Sequence, residues 1–317
     1  MEKVRFSPQP RATGKVVEWA AFVEVSLSMI LMGSSVVVSK LITQSFPTAL
    51  ASELRLLLSA ALQFILIRFT GGQVEAPSRR DWGILTLQAF LGVFLYSIFF
   101  MEGLRRTTAL ESSIICSFIP AAGAVISVVI FREKLDRKRY MGIALTVAGT
   151  VAANAAGGLM HGANALQHLT GNFLILLSAF CQAIFVTFGK LVCRRIHPFQ
   201  IGAIVSALGA AMFLPMALND LRGFNLQAVK WTQWGLILYI GLACTGFGVL
   251  MMNCGSRRIS PSAVSALTAL NPVGAIALSC LMLREPFSLW YLIGMLVIAS
   301  GVFLVMRPDS GAVDRSV

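Results

Sequence analysis

The second half of this chain repeats the first at a fixed offset, from Arg105 to Arg257. Arg105-Arg106 recurs as Arg257-Arg258, Trp82 as Trp234, Gly103 as Gly255 and Pro120 as Pro272. Arg132-Glu133 recurs as Arg284-Glu285, and Gly142 and Gly149 recur as Gly294 and Gly301. Apolar runs of about 20 residues, each long enough to cross a hydrocarbon core of about 30 Å as a helix, recur along both halves. The spans read from the sequence are 19–43, 48–69, 82–103, 108–131 and 138–156, then 170–192, 198–219, 232–254, 261–283 and 288–306. Five per half is odd, so the two copies enter the membrane from opposite sides. The expected fold class is an all-α integral membrane protein of ten transmembrane helices, arranged as two inverted five-helix repeats. Repeats related in this way build secondary transporters, with the substrate site near the bilayer midplane between them.

The expected division is a cytoplasmic tail (1–18), a first repeat (19–156), an external linker (157–169), a second repeat (170–306) and a second cytoplasmic tail (307–317). Only 13% of the 317 residues are charged, against roughly 25% in a soluble domain. The net charge of +12 would suit a polyanion partner, but its distribution says otherwise. Nineteen of the 26 Lys and Arg residues fall in segments on the N-terminal side of the membrane. Arg105, Arg106, Arg222, Lys230 and Arg284 fall on the other side, while Lys40 and Arg55 lie within or at the ends of spans. That is the positive-inside pattern with both termini cytoplasmic, in the inner (plasma) membrane. The lipid bilayer and a small-molecule substrate are the expected partners, nucleic acid is not, and the chain is expected to act as a monomer or homodimer.

The six cysteines lie in apolar spans or at their ends without a CxxC pair, and read as small buried hydrophobes rather than disulfides or metal ligands. No Walker loop, HExxH or GxSxG is present. His161 and His168 fall in the linker and His197 at a helix junction, which suits solvated or capping roles. The reading is therefore not an enzyme, with no cofactor and no metal. The first apolar run is span-length and follows a polar, basic stretch, unlike a cleavable signal peptide.

Several segments carry a family resemblance. LMGSSVVVSKL (Leu31–Leu41) and PTALASELRLLLSAAL (Pro47–Leu62) are similar to the first two spans of EamA-type drug/metabolite transporters. Glu102–Asn154 resembles the third-to-fifth-span signature of that family, and Gly255–Val305 resembles it again, each copy keeping Pro-x12-Glu and a following Gly-x6-Gly. The chain departs from the pattern at Met32, beside Gly33, where aromatics are common. The resemblance covers about residues 19–306. It implies ten helices, a central cavity and export of small metabolites or drugs.

Charge inside a membrane is costly and defaults to a functional hypothesis. Arg55 is about two turns into the second span. It is either a cavity cation for a substrate carboxylate or phosphate, or a side chain that snorkels or pairs with an acid such as Glu53. Glu53 is two residues away, so the two do not share a helix face. In the third span Gln88, Gly92, Tyr96, Phe99 and Gly103 form a stripe expected to face the bundle interior. Glu102 at its edge is a coupling acid or a helix-end partner of Arg105 or Arg106. Glu24 is a titrating group or an interfacial cap. Glu111 suits the positive N-terminus of the fourth span, and Lys40 and Lys190 suit helix C-termini or a pair of gates. Pro120 and Pro272 are expected helix kinks at repeat-related positions, with Asn271 adding an amide near the midplane. Ser34, Ser35, Gln182, Thr245 and Thr268 line the pathway or bond the preceding turn. Gly142, Gly149, Gly294 and Gly301 are expected packing surfaces.

Together these readings describe an exporter of a small organic metabolite, such as an amino acid, or of a drug, working by alternating access. A carrier of larger amphiphiles and a non-transporting membrane scaffold or receptor are the alternatives. No acid pair sits at the midplane, which favours flux down the metabolite gradient over obligatory proton antiport.

Overall fold

Long apolar stretches without water must satisfy every backbone N–H and C=O internally, and helices do so within one segment. The computed structural model accordingly contains helices and no strands among the described residues, which are 15–69, 75–131, 137–160, 165–192, 196–248, 270–285 and 289–306, with isolated positions between 251 and 267. In chain order α1 is Lys15–Thr43, α2 is Thr48–Phe69 and α3 is Arg79–Arg106. Next come α4 (Ala109–Cys116), α5 (Ile119–Phe131), α6 (Arg137–Met160), α7 (Ala165–Val192) and α8 (Pro198–Gly223). The series closes with α9 (Trp231–Leu238), α10 (Leu270–Leu283) and α11 (Leu289–Met306). Among the described residues six stretches are long and apolar enough to cross a bilayer, and shorter apolar helices cover 140–152, 270–283 and 292–304. The chain is a multi-pass, all-helical membrane protein.

Local chemistry sets several ends. Ser78 and Asp81 form a capping box at the start of α3, Thr108 caps α4 by accepting from the Glu111 N–H, and Pro198 opens α8 behind His197. The Ser78, Thr108 and His197 side chains accept from N–H groups that a helix start leaves unpaired, and Pro198 has no N–H to satisfy. The fourth span is broken: α4 ends at Cys116, and α5 restarts with Pro120 in its first turn, where proline's missing N–H is tolerated. Pro272 likewise sits in the first turn of α10.

Two departures from the sequence reading matter. α6 runs to Met160 and α7 begins at Ala165, so helix occupies most of the region read as a linker. Ala165, Leu166 and Gln167 are good helix formers, and they carry His168 into α7. Second, α3 contains a π-helical segment, Ala89–Leu95, and α9 continues as another, Tyr239–Gly248. The two lie at repeat-related positions. A π turn adds a residue and shifts the register of every later side chain.

The packing pairs map onto one another when each helix is exchanged for its repeat counterpart. α6 packs on α11 and α2 on α8. α1 packs on α10 and on the second π segment, as α7 packs on α5 and on the first. Glycines show the same reciprocity. A Cβ on Gly103 would lie 3.0 Å from the Gly171 carbonyl, and one on Gly255 would lie 3.0 Å from that of Ala21. A Cβ on Gly149 would meet the Gly294 carbonyl at 3.1 Å, and one on Gly301 would meet that of Gly142 at 2.6 Å. Lipid offers no hydrophobic drive between helices, so small residues that permit backbone approach carry the association.

Candidate functional site

Two turns into α2, Arg55 turns inward. Its Nη2 donates to the Ser97 hydroxyl of α3 at 2.8 Å, and Ser97 itself is 1% exposed. Arg55 Nε is buried without a hydrogen-bond partner. The guanidinium also lies within electrostatic reach of Tyr96 and Cys244. No described carboxylate is within ion-pair distance of it. Glu53, 6% exposed, does not meet it, because residues two apart on a helix point away from each other, and its own Oε2 is unpartnered. The structure pairs Arg55 with Ser97 rather than with Glu53: it is a half-buried cation whose Nε is buried without a hydrogen-bond partner.

The second π segment forms the facing wall. Tyr239 Oη and Ser34 Oγ of α1 share a hydrogen bond at 2.8 Å, and Ser34 Oγ lies 3.8 Å from Cys244 Sγ. Ser34 also donates to the Leu31 carbonyl at 2.6 Å. Within the π turn Thr245 donates to the Ile240 carbonyl at 2.9 Å, and Ser28 of α1 donates to the Gly248 carbonyl at 2.7 Å. Gly241 lets this segment approach α2: a Cβ there would lie 2.9 Å from Leu58 Cβ and 3.6 Å from the Arg55 carbonyl. Ser97, Tyr239 and Cys244 complete the site, and 3.6-residue periodicity does not single them out. What the sequence does show here is that glycines interrupt both spans, at Gly92 in the third and at Gly241, Gly246 and Gly248 in the eighth.

The other candidates separate. Tyr96 stacks on Phe100 with centroids 5.4 Å apart and packs beside Val36, Val37 and Ile115. Phe99 is half-buried. Gln88 does not line open space: its amide donates to the Phe185 carbonyl of α7 at 2.9 Å. Gly92 packs on Phe185 too, and Gly103 on Ile175, so much of the expected interior stripe is a helix contact with α7. Ser35 donates to the Met32 carbonyl at 2.6 Å. Gln182 is half-buried and makes no hydrogen bond among the described residues. The Asn271 backbone abuts Gly33. Thr268 and the side chain of Lys190 lie outside the described residues.

The acids read as coupling candidates behave differently from one another. Glu102 accepts from Thr48 Oγ1 at 2.8 Å and pairs with Arg105 and Arg106 at 3.8 and 3.9 Å. Glu24 pairs with Arg258 at 2.5 Å. The side chains in all three pairs are between about one-quarter and one-half exposed, where ion pairs contribute little. Lys40 reaches past its own helix end to the Leu104 and Thr107 carbonyls at the end of α3, within electrostatic reach of Glu111 and Glu285. Glu111, 2% exposed, accepts from Thr107 Oγ1 and meets His168 Nδ1 at 3.4 Å. His168 is therefore no solvated linker residue. Its helix carries it onto a buried acid.

A separate apolar groove of about 820 Å³ runs along the flank of α1, lined by Trp19, Phe22, Val23, Ser26, Leu27, Ile30 and Leu267. It shares no lining residue with the Arg55 cluster. Among the described residues no group of three or more His, Cys, Asp or Glu side chains is placed to hold a metal ion. The Arg55 cluster brings together a cation with no described counter-ion, hydroxyls and tyrosine rings, a chemistry suited to an anionic or polar solute.

The chain as a whole is similar to known proteins. A sequence profile described as the EamA-like transporter family matches residues 20–155 and again 169–307. The uncharacterized transporter YetK of Bacillus subtilis is 32% identical over 314 residues, covering 96% of this chain and 94% of that protein. The uncharacterized transporter YyaM of the same organism is 21% identical over 273 residues, 86% of this chain and 89% of that one. A solved crystal structure, 18% identical, superposes with a TM-score of 0.64 over 90% of this chain and 97% of its own. A chain that carries the profile in both halves and keeps a polar centre inside apolar helices belongs to the EamA-like transporter family, a family of membrane transporters of small solutes.

Proposed function

We infer that the protein is a ten-helix carrier built from two inverted five-helix repeats. It exports a small organic metabolite, such as an amino acid or related compound, or a drug, across the cytoplasmic membrane by alternating access. The observation that carries this reading is Arg55: a half-buried cation inside an apolar span, with a buried, unpartnered Nε, held between α2, α3 and the π segment after α9. Leaving a charge unpaired at such depth is costly, and a substrate anion that lodges there offsets that cost. The interchange of packing partners between repeat counterparts supports the inverted architecture, because two halves related by a two-fold axis can rock about one shared site. The broken fourth span gives such motion a place to bend.

Purified protein in liposomes tests this directly. Flux of labelled amino acids and organic acids should follow the solute gradient and should not require a pH gradient. Liposomes as tight to every tested solute as protein-free controls would sink the carrier reading. The topology is checked separately. Cysteines at Ala163 and Ser310 should react with an impermeant thiol reagent from opposite faces of the membrane, and same-side labelling would exclude an odd number of spans per repeat.

A further inference from the structure

We propose that the Arg55 site selects organic anions that carry no ammonium group, and discriminates against amino-acid zwitterions and cationic drugs. The inference rests on the carrier reading and narrows its substrate to one charge class.

The placement of the acids decides it. Of the 14 Asp and Glu residues only Glu24, Glu53, Glu102 and Glu111 fall inside the apolar spans, and none falls in a span of the second half. Three of the four lie towards span ends and are engaged there. Glu24 pairs with Arg258, and Glu102 with Arg105 and Arg106. Glu111, in the first turn of α4, accepts from Thr107 Oγ1. Glu53 shares the depth of Arg55 but not its direction. It lies on the face of α2 that carries Ala49 and Leu56, four residues before it and three after, and those two pack with Ala210 and Phe213 of α8. Arg55 instead reaches Ser97 of α3, with Tyr96 and Cys244 as its electrostatic neighbours.

The other repeat supplies no balancing charge. α8 carries Ser206 and Ala207 where the repeat matches Arg55, and the Ser206 and Ser59 hydroxyls share a hydrogen bond at 3.4 Å. The site therefore holds one fixed positive charge among neutral polar groups. A carboxylate lodged there is matched. In an amino acid the ammonium sits one carbon from the carboxylate, so it comes within about 4–6 Å of the guanidinium, close enough for a like charge to be disfavoured. The hydroxyls of Ser34, Ser97 and Tyr239 can hydrogen-bond the rest of a solute, but they do not neutralise an ammonium. An ammonium without a counter-ion inside the bundle is costly, and an unpaired charge of this kind is how a site separates ligands that are alike in shape.

Two matched sets of solutes provide the test: 4-methylpentanoate, leucine and 3-methylbutylamine, and 3-phenylpropanoate, phenylalanine and 2-phenylethylamine. Within each set the apolar body is nearly constant and the charge changes. Binding to the purified full-length protein is measured in detergent at about pH 7.5, where carboxylates are ionised and amines protonated. The anion of at least one set should bind about tenfold or more tightly than its amino acid. The amine should not compete, and Arg55→Gln should lose the anion. An amino acid or amine bound as tightly as its matched anion, anion binding unchanged in Arg55→Gln, or no binding of any of these solutes would overturn the inference. Flux of the same solutes in proteoliposomes tells this failure from failure of the carrier reading. Amino-acid flux with no preference for the anions keeps the carrier and removes the charge class. Anion binding without flux of any solute above protein-free vesicles removes the carrier and leaves an anion-selective site.

Discussion

Arg55→Gln is expected to lower solute flux in proteoliposomes by tenfold or more, while the protein still inserts and purifies as wild type does. A hydrogen bond to a charged group contributes about 1.5–3 kcal/mol, and Arg55 has donors to spare for a bound anion. Arg55→Lys should fall between the two, because the charge stays while the planar fork is lost. The loss should appear for anionic and zwitterionic solutes and be small for any neutral solute that is carried. Removing the guanidinium also relieves a half-buried charge that has no described counter-ion, so the thermal midpoint of Arg55→Gln without substrate should hold or rise. Wild-type flux in Arg55→Gln would reduce the residue to a structural role. Equal loss of flux and of folded protein would show that the cation supports the bundle rather than the solute.

The second large effect is expected at Gly33. A Cβ there would run into the Asn271 carbonyl and lie 3.0 Å from the Ala275 nitrogen. Both are backbone atoms of α10, so no side chain can swing aside. Even Gly33→Ala should cost about 1–3 kcal/mol, as overpacked contacts do, and Gly33→Leu should leave little monodisperse protein in detergent. Gly83 and Gly235 are the controls, because a Cβ at either meets nothing within 4 Å. Alanine at those helical positions should be neutral or stabilising by up to about 1 kcal/mol. Thermal unfolding followed by size-exclusion chromatography reads both signs. A Gly33→Ala protein as stable as its parent would show that α1 and α10 approach less closely.

The amino-acid order alone settled the membrane-spanning helical character and the family, because both live in local properties. Apolar run length, recurrent glycines and a twice-written signature need no knowledge of which helix touches which. It also singled out Arg55, since one cation deep in an apolar run stands out by energy alone. The partners of the polar groups were another matter. Glu285 meets Ala109 and Leu110, His168 meets Glu111, and Ser34 meets Tyr239, pairs drawn from distant parts of the chain that only packing brings together. Gln88 was expected to line the pathway; it is buried on the interior face, where its amide binds the Phe185 carbonyl of α7. Hydrogen bonds of i→i+5 type leave no reliable mark in hydrophobic periodicity, and that is why Ser97, Tyr239 and Cys244 emerged only from the tertiary structure.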